Sequence, residues 1–344
     1  MKRAWIRAVF VARFMGYLTI LVLWSIVFLP LCRILKRLQK PFFDFVFVVY
    51  PGTLDQVRGY GPIWVRKYVP MVSVIGIVEK GRTGKRGLVI GIPWDDDEIE
   101  KNQLHDVIVR NVEKLADAIG ATSIALAGRL PAILTQSGRK NVLNPPFVVG
   151  DKGAVFTIIK AVERAIGVQK FNPQTIQIGV VGYGFIGSRV ANVLKNSIAQ
   201  PIRAADPRIT VEKRTQVWLS NSPNILADCD IVIVLAGKGE QFKDAIPYLK
   251  EGVIVVDDTH PQIPAHVSGA IEKKGGKVFK AVLGLRGMKF KPRLPKWEAD
   301  WLPGCCVEAV VACLRGFSQS QLEFDTRANE IGFEALEVTN KSDL

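Results

Sequence analysis

Cysteine is scarce, five residues in 344, and no two stand in a C-x-x-C spacing. That scarcity excludes a disulfide-stapled scaffold, offers no framework for a structural zinc and fits a reducing compartment. Acid is missing altogether from residues 1–40, which hold eight basic residues of a chain whose net charge is +14. Disorder-prone or collagen-like bias is missing too. With 48% of residues apolar and 23% charged, the composition is that of folded domains, and the length suffices for about two of them.

Charge of either sign is absent from Phe14 to Cys32, 19 residues with Lys2, Arg3, Arg7 and Arg13 ahead and Arg33, Lys36, Arg37 and Lys40 behind. Such a stretch is long enough to cross a bilayer as a helix, and no small-x-small cleavage site follows it. The expectation is a retained N-terminal transmembrane helix contacting the lipid bilayer, with a membrane-anchored, cytoplasmic body. A buried or interfacial helix is the alternative. Positive charge on both flanks determines the orientation weakly. The mostly apolar run Phe42–Tyr50, closed by Pro51-Gly52, and the aromatic and basic stretch from Tyr60 to Tyr68 read equally as a membrane-surface segment or as an ordinary first strand and loop.

From Gly87 the chain alternates. An apolar run, Leu88–Ile92, leads to a helical pattern from about Leu104 to Ile119 and then to a strand-like Ser123–Leu126, as expected of an α/β domain. The acidic run Asp95, Asp96, Asp97, Glu98 complements the positive end of a helix dipole, and it lacks the spacing of a metal site. No metal-ligating set is expected.

At Thr175 a strand-like Ile176–Val181 runs into Gly182-Tyr183-Gly184-Phe185-Ile186-Gly187 and then a helical Ser188–Asn196. This is G-x-G-x-x-G between a strand and a helix, with Asp206 nineteen residues beyond Gly187. The motif in this setting implies a Rossmann-type dinucleotide-binding domain. Gly182 makes the tight turn, Gly184 lets the backbone approach a pyrophosphate, Gly187 lets helix and strand pack closely, and N–H groups at the helix start receive the phosphate charge. Asp206 would bind ribose hydroxyls, whereas Arg208 would suit a 2'-phosphate, so NAD and NADP both stay open. Apolar runs at 230–237, ending in Ala236 and Gly237, at 253–257 and at 277–283 supply further strands.

Three places offer chemistry. Cys305, in Pro-Gly-Cys-Cys at the start of a helical run, would feel the dipole that favours a thiolate; packing of both cysteines is the plainer reading. Lys152, in the turn Gly150-Asp151-Lys152-Gly153, would polarise a carbonyl or bind phosphate. His260, in a loop after a strand, would serve as a general acid. Separately, nine basic residues and no acid lie between Lys273 and Lys296, a run suited to an acidic carrier protein, a coenzyme A phosphate or an anionic surface. No nucleic-acid module accompanies it.

Between Gly87 and Ala335 the order of motifs resembles the long-chain acyl-carrier-protein reductases, which form fatty aldehydes. The segments Ala127-Gly-Arg-Leu-Pro-Ala-Ile-Leu134, Gly150–Ala165, Gly182–Gly187 and Cys305-Cys-Val-Glu308 carry that resemblance. It implies Cys305 as the acyl-accepting thiolate, NADP in preference to NAD as hydride source, and acyl-carrier protein or acyl-CoA as partner docked on the Lys273–Lys296 run. Shikimate dehydrogenase and glutamyl-tRNA reductase share the layout, which keeps open a dehydrogenase of a small soluble substrate, with Lys152 or His260 as acid. A third alternative is a membrane-tethered dinucleotide sensor without turnover. The expected organisation is an anchor at 1–40, an α/β substrate domain at 41–150 completed by helices from 295–344, a dinucleotide-binding domain at 151–294, and C-terminal helices with an acidic tail at 295–344.

Overall fold

The computed structural model describes residues 29–38, 41–52, 72–209, 212–213, 216–294 and 297–337. They form two compact units. The first takes the described residues up to Gly150 with Arg286–Asp300 and Cys305–Arg327; the second takes Asp151–Leu285, Trp301–Gly304 and the described residues from Ala328 on.

In the first unit, α1 (Leu29–Arg37) precedes β1 (Phe45–Val49), β2 (Ser73–Val78), β3 (Gly87–Gly91), α2 (Asp96–Lys101), α3 (His105–Ile119), β4 (Ser123–Leu126), α4 (Leu130–Gln136) and β5 (Phe147–Val148). With β14 (Phe290–Lys291) the strands form one sheet in the order β14-β2-β3-β1-β4-β5. The strands β3, β1, β4 and β5 are mutually parallel, and β2 runs antiparallel to β3. Central β1, Phe-Val-Phe-Val-Val, is buried along its whole length. A parallel strand covered on both faces needs such an unbroken apolar run rather than an alternating one. Helix α3 turns Ile108, Val109, Val112, Ala116 and Ile119 inward, the spacing of a single helical face. The acidic run proves to be the start of α2, where Asp95 and Glu98 form a reciprocal capping box.

The N-terminal expectations are only partly visible. Of the charge-free stretch, positions up to 28 lie outside the described residues, as does the Tyr60–Tyr68 segment. Its last residues belong to α1, which docks on this unit: Cys32 is buried in the core and Lys36 pairs with Asp117 of α3 at 2.7 Å. No helix among the described residues is long and apolar enough to cross a membrane.

The second unit contains α5 (Asp151–Gln169), β6 (Ile178–Val181), α6 (Phe185–Leu194), β7 (Ile202–Ala205), β8 (Glu212–Lys213), β9 (Val217–Ser220), β10 (Ile231–Val234), β11 (Ile254–Asp257), α7 (Ala265–Lys273) and β12 (Lys277–Lys280). Its sheet runs β12-β11-β10-β6-β7-β9-β8. All neighbours are parallel except the edge strand β8. Numbering the parallel strands by their order in the chain gives 6-5-4-1-2-3, the doubly wound Rossmann order with its reversal between β6 and β10. Valines and isoleucines fill both faces of the sheet. The expected strand over 277–283 breaks after Lys280, and Leu283–Gly284 (β13) instead pairs with Glu334–Ala335 (β15). The helix read as Ala154–Ile166 starts three residues earlier, so Asp151 and Lys152 stand in its first turn. Two helices remain, α8 (Gly304–Arg315) and α9 (Gln321–Ile331).

Candidate functional site

The carboxyl edge of the second unit's sheet carries the glycine turn, Asp206 and His260, as expected where the strand order reverses. Gly182 ends β6 with φ +92°, and a Cβ there would stand 2.8 Å from the Leu235 backbone at the end of β10. Ala236 and Gly237 follow on that neighbouring strand end, which brings two expected cofactor contacts beside the glycine turn. A Cβ on Gly187 would lie 2.1 Å from the Gly182 carbonyl oxygen, whereas one on Gly184 would meet nothing within 4 Å. The turn is therefore closed beneath and open above, and the helix it feeds begins at Gly184 without a side-chain cap. Its first-turn N–H groups, from Phe185 to Gly187, are the donors an anion at a helix start uses. The residues present fit a dinucleotide pyrophosphate. Gly187→Ala is expected to cost about 3 kcal/mol or more, because the clash is with backbone and cannot be relieved by a rotamer; the urea midpoint measures it.

Asp206, at the end of β7, is 3% exposed. Its Oδ2 accepts from the Tyr183 N–H at 3.0 Å and from Arg208 Nη2 at 3.1 Å, and its Oδ1 from the Arg208 backbone N–H at 3.0 Å and Nε at 3.1 Å. The Arg208 guanidinium holds the carboxyl below its usual range and is itself raised by it. The expected ribose acceptor is thus already engaged by the chain.

The β10–β12 half of the edge holds a cluster that sequence reading caught only at His260. Asp257, with no exposed surface, accepts from the Thr259 N–H at 2.8 Å, the Thr259 hydroxyl at 2.6 Å and the Ile263 N–H at 3.0 Å. Lys280, 4% exposed, donates to the Thr259 carbonyl at 2.7 Å and stands 3.6 Å from Asp257. The loop that carries Asp258 and His260 is folded around this pair. Desolvation, helped by Lys280, lowers His260 to about 4, while desolvation raises Asp258 to about 7. His260 still presents surface to solvent. Neutral at pH 7, its imidazole donates through one ring nitrogen and accepts at the other. Asp258 was missed because a carboxylate after a strand looks like any polar loop residue; its signal is the packing around it, which no local pattern contains.

Lys152 lies in the first turn of α5, 3.9 Å from Asp151. The buried Asp151 forms its ion pair with Arg189 of α6, tying the helix after the glycine turn to the start of α5. In the first unit, Cys305 is half-buried in the first turn of α8, and Gly150, at φ +83°, approaches so closely that a Cβ would stand 2.8 Å from its Cβ. Neighbouring Cys306 is fully buried, and desolvation raises its thiol well above the ordinary value. Of the adjacent pair, only Cys305 reaches the surface. The basic run is divided between the units: Lys273, Lys274, Lys277 and Lys280 belong to the second and Arg286, Lys289, Lys291 and Arg293 to the first. Lys280 is buried, Lys274 donates to the carbonyls of Ile246, Pro247 and Leu249, and Lys291 pairs with Glu79. Lys296 lies outside the described residues. Among the described residues no group of three or more His, Cys, Asp or Glu is arranged to hold a metal ion.

No protein-family model matches the sequence, and no curated protein does. Among solved structures, L-tryptophan dehydrogenase from Nostoc punctiforme is similar over 84% of this chain and 80% of its own, at 12% identity and a TM-score of 0.44. Shikimate dehydrogenase 1 from Peptoclostridium difficile is similar over 84% and 98%, at 10% identity and a TM-score of 0.42. A D-isomer specific 2-hydroxyacid dehydrogenase from Xanthobacter autotrophicus Py2, solved with NADPH and MES, is similar over 40% of this chain and 66% of its own, at 16% identity and a TM-score of 0.30. Likenesses this distant add no weight to the fold, which rests on the strand order and the glycine turn.

Proposed function

We propose that this chain is an NAD(P)-dependent oxidoreductase that moves hydride between a nicotinamide and a small soluble substrate. The observation that carries the reading is the glycine turn, closed beneath and open above, at the first strand of a parallel sheet ordered 6-5-4-1-2-3. When bound, the dinucleotide supplies the hydride acceptor or donor. Gly182, Gly184 and Gly187 with the uncapped start of α6 would hold its pyrophosphate, and the ends of β7 and β9 its adenosine. The ends of β10 and β11, with Asp258 and His260 in the loop beyond, would flank its nicotinamide. Proton transfer is most efficient when the group's pKa is near the working pH, and Asp258, raised to about 7, meets that condition. Asp258 would exchange the substrate hydroxyl proton, neutral His260 would accept a hydrogen bond from substrate, and the Lys280–Asp257 pair would hold the loop that carries both.

A second reading is favoured by the surface position of Cys305 beside Gly150. In it the Cys305 thiolate would displace a carrier thiol from a long-chain acyl thioester, the acyl-carrier protein or acyl-CoA being the partner, and the thioacyl carbon would accept hydride from NAD(P)H, its C–S bond then breaking to release the aldehyde and return the Cys305 thiolate. A membrane-associated N-terminal segment, proposed from the charge-free stretch and its basic flanks alone, would place that product beside lipid, with the body in the cytoplasm.

One experiment separates the readings. Full-length protein is given NADPH with a panel of small 2-oxo acids, or with palmitoyl-CoA, before and after iodoacetamide. Oxidation of NADPH by a 2-oxo acid that survives alkylation of Cys305 is the expected result. Consumption of the thioester that alkylation abolishes would replace it with the second reading, and dinucleotide binding with no turnover on either would leave the sensor.

A further inference from the structure

The first unit carries exposed apolar and exposed basic residues side by side, along α1 and at the edge of its sheet where β1, β3 and β4 begin and β2 ends. We infer that this edge, together with the outer face of α1, is a docking surface for a bilayer of anionic lipid. The inference extends to the folded body the membrane association proposed above for the N-terminal segment, and it is independent of which reaction the chain performs.

The apolar part is a helical stripe. Leu31, Ile34 and Leu38 recur at the spacing of one helix face and are 45%, 53% and 63% exposed; the Leu38 N–H still donates to the Ile34 carbonyl at 3.1 Å, so the helical course reaches it. A different face of α1, with Cys32 and Lys36, is the one that docks on the core and on α3. Phe42, 38% exposed, carries the stripe to the sheet edge. Neighbouring apolar side chains held in water and rimmed by charge mark a contact surface.

The basic part is assembled from three segments. Arg33 and Arg37 belong to α1, Lys80 and Arg82 to the loop between β2 and β3, and Arg286 and Lys289 to the chain just ahead of β14, and all six are exposed. The Glu79 N–H donates to the Lys289 carbonyl at 2.8 Å and the Arg82 N–H to the Arg286 carbonyl at 3.2 Å, which joins the last two segments. The Arg86 guanidinium lies 4.3 Å over the Phe42 ring and joins them to the stripe. The acids of this edge, Asp44, Glu79 and Asp117, pair with Lys85, Lys291 and Lys36, lysines other than the six exposed cations. An apolar stripe beside a cluster of cations matches the boundary between acyl chains and anionic headgroups, where each part meets its complement. A second copy of this chain would set like charge against like, and a nucleic acid would leave the stripe in water. The sequence ahead of α1 has the same character, with no charge from Phe14 to Cys32 and no acid before Asp44.

The test is co-sedimentation of the full-length protein with vesicles of phosphatidylcholine alone and of phosphatidylcholine with about one third phosphatidylserine. Each cation near an anionic surface strengthens partition roughly fivefold, so the serine vesicles are expected to bind more tightly by a factor on the order of 100, a preference that shrinks as salt shortens the Debye length. The pair Lys80→Glu, Lys289→Glu should weaken binding to the serine vesicles by at least about 25-fold and leave binding to phosphatidylcholine nearly unchanged. The pair Ile34→Asn, Leu38→Asn should weaken binding to both by about tenfold. These side chains are exposed, and circular dichroism checks that the fold survives; the salt dependence of the parent protein tests the charge term with no substitution at all. Binding that ignores headgroup charge and salt, or a charge-reversed variant that keeps the parent's preference, would overturn the inference and leave the N-terminal segment to hold the membrane by itself. A protein that stays in solution with both kinds of vesicle would overturn the docking surface and the membrane-associated segment together.

Discussion

Asp257→Ala is expected to destabilise the protein by about 3–5 kcal/mol, the cost of removing one partner of a buried ion pair. Asp257 has no exposed surface and Lys280 has 4%. Alanine would leave the ammonium facing the Thr259 carbonyl with no counter-charge, and the N–H groups of Thr259 and Ile263 with no acceptor in reach. A loss this large is comparable to the whole stability of many domains, so the variant is best measured as a shift in urea midpoint at constant m-value. The double variant Asp257→Ala, Lys280→Met should recover part of the loss, because no charge then remains stranded. Should Asp257→Ala alone cost less than about 1 kcal/mol, the pair would be incidental and the loop from Asp257 to Ile263 would be held by its apolar anchor, Ile263.

That pair also marks the limit of what could be read from the chain. The strands at Ser123–Leu126, 178–181, 231–234 and 254–257 were legible because a parallel strand buried on both faces is a short, mostly apolar run, and its length, its β-branched residues and the turn residues around it distinguish it from a buried helix. The glycine turn was legible because each glycine answers a local backbone demand. Lys280 was not: in sequence it belongs to a basic run that reads as one docking surface, yet the fold buries it beside a residue 23 positions earlier. The run is divided because 273–280 finish the second unit's sheet while 286–293 return to the first unit, where Phe290 and Lys291 extend β2. Hydrophobic periodicity gives no sign of such a crossing. Asp206 stands at the end of β7 as expected, but its bonds to the Tyr183 N–H and to Arg208, two residues on, could not be read from the motif. Position in a motif fixes where an atom is, not whether it is still available.

The same loop predicts an opposed pair of pH responses. His260 is driven down to about 4 in the folded chain, from an unfolded value near 6.5. The unfolded state therefore binds the extra proton first, and this group's contribution to stability, complete above about pH 6.5, is lost as the pH falls toward 4. Asp258 is driven up to about 7, from an unfolded value near 3.9. Here the folded state keeps its proton longer, so the contribution is complete below about pH 4 and is lost as the pH rises through 7. Both groups face Lys280 and Asp257, and their slopes nearly cancel between pH 4 and 6.5. His260→Gln should uncover the Asp258 response, a stability that falls with rising pH in that window relative to the parent protein; Asp258→Asn should uncover the reverse. Each slope is bounded by one proton, about 1.4 kcal/mol per pH unit, and water reaching the exposed imidazole and half-buried carboxyl reduces it to less than ~1 kcal/mol per unit. Urea midpoints of the three proteins from pH 4 to 7.5 decide the matter. Two variants whose curves run parallel to the parent's would mean that neither group is desolvated, and would remove Asp258 as the proton-exchanging group.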